Sequence, residues 1–94
     1  MSLARVVSFD GVDAARIAQV KKEIEEGERP EEIPATEIIV LHDADANESL
    51  VIVFFETEDD YARGDAALSA MPAGDTPGQR TSVRKYDVAV RAMG

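Results

Sequence analysis

Residues 36–56 read TEIIVLHDADANESLVIVFFE. Two apolar runs, Ile38–Leu41 and Leu50–Phe55, flank a polar stretch from His42 to Ser49. The runs are short and rich in β-branched residues, which favours strands over helices. The small polar residues between them suit a turn, so the segment is predicted to be a β-hairpin. Its strands carry apolar residues at successive positions and are therefore apolar on both faces. A hairpin of that kind needs a covering layer on each side.

Outward from the hairpin, Leu3–Phe9 (LARVVSF) is predicted to be a strand, with Leu3, Val7 and Phe9 on one face and Ala4 and Val6 on the other. Asp10-Gly11 breaks it. Asp13 is placed to cap a helix running to Glu26, in which Ile17, Val20 and Ile24 recur at helical spacing. Gly27 offers a left-handed stop, and Pro30 and Pro34 favour extended chain beyond it. After the hairpin, Thr57-Glu58-Asp59-Asp60 opens a second helix: threonine caps the free amides and the acids suit its positive end. Tyr61, Ala67, Leu68 and Met71 form that helix's buried stripe, and Pro72 ends it. Gly64, in mid-helix, costs about 1 kcal/mol relative to alanine. It is read as tolerated rather than required, with a close approach to the sheet or to a ligand as the alternative. Met71–Gln79 (MPAGDTPGQ) is a loop, and Arg80–Arg91 a last strand with Tyr86, Val88 and Val90 on one face. The polar side of that strand, Lys85, Asp87 and Arg91, suits a sheet edge.

The resulting order, β-α-β-β-α-β, predicts an α+β, ferredoxin-like domain spanning residues 1–94. Both helices fall on one face of a four-stranded antiparallel sheet. The opposite face is left bare and apolar, which is unusual for a monomer and predicts a homodimer joined through it. A chain of 94 residues removes only roughly 60–65% of its unfolded surface from water, so an interface would add useful burial.

Composition narrows the chemistry. There is no cysteine, which removes disulfides, thiolate nucleophiles and thiolate metal sites. A single histidine precludes a His-rich metal centre within one chain, and no metal is expected. The formal net charge of −9 opposes nucleic acid and anionic membranes as partners. No apolar run approaches the roughly 20 residues of a membrane span, and no leader-like segment precedes the first strand. The expectation is a cytoplasmic protein. Asp43-Ala44-Asp45-Ala46-Asn47 mimics the start of a calcium loop, but Glu48 and Phe54 stand where that loop needs Gly and Glu.

In length, element order and the doubly apolar hairpin, the whole chain resembles the dimeric α/β-barrel superfamily, to which antibiotic biosynthesis monooxygenase-like domains belong. The resemblance implies a ligand pocket between sheet and helices, and a small apolar or aromatic metabolite within it. The residues that would line such a pocket are Phe54 or Phe55, Tyr61, Leu68 and Met71. The cofactor-independent monooxygenases of the superfamily use Trp, Tyr and Asn; this chain has no Trp, and its Asn47 lies in the hairpin turn. A monooxygenase or isomerase is the enzymatic alternative, with His42 as the base titrating near neutrality and Arg80 or Tyr86 as oxyanion partners. Arg80, Thr81 and Ser82 also offer donors to an anion. An assembly module without ligand is the third reading. No cofactor is expected: ligated haem in particular would rest on His42, which lies beside Asp43 and Asp45.

Overall fold

The computed structural model describes residues 2–26, 34–70 and 78–92. The elements are β1 (Leu3–Asp10), α1 (Ala14–Glu26), β2 (Glu37–Asp43), β3 (Glu48–Phe55), α2 (Glu58–Ser69) and β4 (Gln79–Asp87). The strands form one antiparallel sheet in the order β2-β3-β1-β4. This is the ferredoxin-like α+β fold expected from the element order.

Local chemistry sets the element ends. Asp13 caps α1, its carboxylate accepting from the Arg16 amide at 2.8 Å. Thr57 caps α2 from extended backbone, its hydroxyl accepting from the Asp60 amide at 3.0 Å. Gly11, at φ 70°, turns the chain out of β1. The hairpin turn is tighter than expected, because pairing continues through His42↔Ser49 and Asp43↔Glu48. Asp43 then accepts from the amides of Asp45 and Ala46, and Asn47 adopts a left-handed φ of 53°. β4 stops at Asp87, well short of the expected Arg91. The Val88 amide still donates to the Ser2 carbonyl, but β1 begins at Leu3 and leaves Val90 and Arg91 without a neighbouring strand there. The expected stop at Gly27 and the loop from Met71 to Pro77 lie outside the described residues.

The pleat sorts side chains between two faces. Leu3, Arg5, Val7 and Phe9 of β1 share a face with Ser49, Val51, Val53 and Phe55 of β3 and with Ile38, Val40 and His42 of β2. That face carries the helices. Leu3, Val53, Phe55 and Tyr61 form one core cluster and Val7, Phe9 and Val12 another, with Val51 packed against both. Gly64 is a correction to the reading of tolerance. A Cβ there would lie 2.3 Å from a ring carbon of Phe55, so α2 sits on the sheet at a distance only glycine allows.

Candidate functional site

The other face carries Ile39 and Leu41 of β2, Leu50, Ile52 and Phe54 of β3, and Ala4 and Val6 of β1. On β4 it carries Tyr86, Arg84 and Ser82. Among the described residues no helix covers it. Leu41 is 47% exposed, Leu50 38% and Tyr86 48%. At the hairpin end this apolar surface runs into a cleft of about 410 Å³. Leu41 and Leu50 form the cleft's apolar part, Asp10, Asp43 and Glu48 its acidic rim, and Ser8 and Thr81 its hydroxyl side. The Thr81 hydroxyl donates to the Ser8 carbonyl at 3.2 Å where β4 breaks register with β1. At the opposite end, the Arg91 guanidinium lies 4.4 Å above the Phe54 ring and 3.3 Å from Glu37.

The residues named from the sequence disperse over this frame. Phe55 and Tyr61 are core, their rings meeting edge to face at 5.5 Å, and Leu68 packs against them. Phe54 is on the far side of the sheet from Phe55, and Met71 lies outside the described residues. His42 borders the cleft, yet its Nε2 is 2.8 Å from the Val12 carbonyl. A carbonyl only accepts, so Nε2 carries a proton and donates, which leaves Nδ1 outside that bond. The bond ties β2 to the loop before α1, where the Val12 amide donates to the Asn47 carbonyl at 2.8 Å. Tyr86 stands at the opposite end of the sheet from His42, and on the opposite face. Arg80 is exposed on β4, across β3 and β1 from His42. The three catalytic candidates are thus not brought together.

A polar cluster beneath α2 escaped sequence reading. Arg5 is 4% exposed on the helix face, its Nε donating to Asp65 at 2.8 Å and a terminal nitrogen to Ser69 at 3.4 Å. Its in-phase position between Leu3 and Val7 was the available signal. Next to it on β4, Lys85 pairs with Glu58 and stands 4.9 Å from the Tyr61 ring centre. Burial pushes the Tyr61 phenol pKa above its ordinary value, with Asp65 adding to the rise and Arg5 and Lys85 opposing it. The hydrogen bond to Glu58 holds the Lys85 ammonium above its ordinary value. These groups are matched with one another, so the cluster reads as a fastening between α2 and the sheet.

Among the described residues no group of acidic and histidine side chains has the spacing of a metal site, and no helix is long and apolar enough to cross a membrane. Comparisons with protein-family models, characterised proteins and solved structures gave no match. Topology and surface chemistry therefore carry the functional argument.

Proposed function

We propose that the protein works as a homodimer joined through its helix-free sheet face, and that it holds a small apolar ligand between the two copies where that face meets the hairpin end. The supporting observation is the contiguous patch of Ile39, Leu41, Leu50, Ile52 and Phe54 on one face of the sheet. Soluble monomers rarely expose an apolar surface that continuous. A second copy presents the same patch, and an isologous two-fold contact covers both at once. The resemblance to dimeric α/β-barrel proteins implies the same assembly. Sedimentation equilibrium at micromolar concentration tests it: a mass of twice 10.2 kDa is expected, and a strictly monomeric species refutes the proposal.

The ligand reading moves from the space beneath α2 to the cleft. Phe55 against Gly64 and Tyr61 leaves α2 in direct contact with the sheet, whereas the cleft joins leucine side chains to an acidic rim. That rim disfavours anionic ligands and suits neutral or cationic ones with an apolar body. Native mass spectrometry of protein purified from its own host is the test. Retention of a small molecule supports the binding module, and a bare dimer supports the assembly-only alternative. The enzymatic alternative keeps His42 Nδ1 as its base, but neither Arg80 nor Tyr86 stands with it. Binding is therefore the reading put first.

A further inference from the structure

We infer that the two copies pair about a two-fold axis lying in the interface and running perpendicular to the strands, so that the acidic end of each sheet covers the arginine-bearing end of the other. The inference rests on the homodimer reading and specifies its geometry.

The helix-free face is asymmetric in two directions. Across the strands, the β2–β3 half carries Ile39, Leu41, Leu50, Ile52 and Phe54, while the β1–β4 half mixes Val6 and Tyr86 with Ser8, Ser82 and Arg84. Along the strands, Asp10, Asp43 and Glu48 occupy the hairpin end, with Arg84, and Arg91 paired to Glu37, towards the other end. Two sheets packed face to face with aligned strands have two in-plane choices of two-fold axis.

An axis along the strands keeps each level and reverses the strand order; over the β2–β3 half it sets Asp43 on the partner's Glu48, and through the middle of the sheet it places β2 over the partner's β4. Leu41 then faces the partner's Ser82, Ile39 faces the partner's Arg84, and Leu50 faces the partner's Ser8. Glu48 faces the partner's Asp10. That arrangement covers apolar side chains with polar ones and superposes the two acidic ends. Like charges in contact at an interface are strongly unfavourable.

An axis perpendicular to the strands keeps the strand order and exchanges the ends. Leu41 then faces the partner's Ile39, and Leu50 the partner's Ile52. The serines fall level with the partner's Val6 and Arg84, at the less apolar half of the face. Glu48 faces the partner's Phe54, over which the partner's Arg91 lies, and Asp43 faces the partner's Glu37, which that same arginine pairs. End-to-end charge selects this axis over both placements of the other, because it sets the acidic end on the end that holds an arginine; lateral apolarity excludes the strand-parallel axis through the middle of the sheet.

The absence of cysteine from the chain makes a distance measurement direct. Ala46 is exposed in the hairpin turn, so Ala46→Cys carries a nitroxide label without entering the face. Strand rise and sheet spacing put the two labels on the order of 30 Å apart for the perpendicular axis, and about 15 Å apart for the axis along the strands. Pulsed dipolar spectroscopy is expected to give the long distance. The short distance overturns the inferred axis and leaves the homodimer standing; an absence of dipolar coupling at micromolar concentration removes the homodimer as well. A second measurement depends on sign. Glu48→Lys sets like charges together at the partner's Arg91 and is expected to weaken dimerisation by about fivefold. Tighter association of Glu48→Lys, from facing the partner's Asp10, also overturns the axis.

Discussion

Gly64 shows how a single missing methyl sets the distance between two layers. An added Cβ meets the Phe55 ring at 2.3 Å, and that ring is fully buried. In a solvent-facing helix, Gly→Ala stabilises by about 1 kcal/mol. Here Gly64→Ala is expected to destabilise by about 1–2 kcal/mol, because overpacking outweighs helix propensity; urea unfolding reads the sign directly. Tyr61 gives a second test at this scale. Its raised pKa means the native state binds the phenolic proton more tightly than the unfolded chain does. The stabilisation is complete below about pH 10 and is lost as pH rises through the folded-state value. Lys85, raised by its bond to Glu58, acts in the same direction. Both groups should therefore lower stability as the solution becomes strongly alkaline. Tyr61→Phe should remove a high-pH component from the ultraviolet tyrosine titration.

The elements differ in how much of each is legible in the chain. α2 is readable from its first turn, since Thr57 and three following acids form a start signal that owes nothing to the rest of the fold. Thr57→Ala should lower stability by about 1 kcal/mol and leave the element order unchanged, as measured by chemical unfolding and circular dichroism. β4 is legible in its apolar alternation but not in its length. Val88 and Val90 continue the pattern, yet a strand ends where its partner ends, and β1 begins at Leu3. The hairpin turn looks longer in the sequence than it is, because His42 and Glu48 are polar. Their pairing is decided by register rather than by polarity.

For the whole molecule, the face without helices is the feature that asks for a partner. Replacing Leu41 and Leu50 together by lysine should yield a monomer with an unchanged far-ultraviolet spectrum. Both side chains are already substantially exposed in the single chain, so the new charges cost little until two copies meet. Size-exclusion chromatography with light scattering checks the outcome; a variant that stays fully dimeric would place the interface elsewhere.

The alternation in β1, the caps of α1 and α2, and the doubly apolar β2 and β3 are local signals, and the order of elements comes from them alone. What only the tertiary structure decided is which side chains meet. Phe54 and Phe55 are adjacent in sequence but lie on opposite faces of the sheet, and pairing with β1 determines which of them is core. Arg5 looks like a solvated interruption until Asp65, sixty residues away, comes within 2.8 Å of it. His42 looks like a free side chain at a strand end until its Nε2 donates to the Val12 carbonyl. Those contacts depend on register and on the height of α2 above the sheet. Both are settled by packing over the whole domain, and neither is written in any one stretch of the chain.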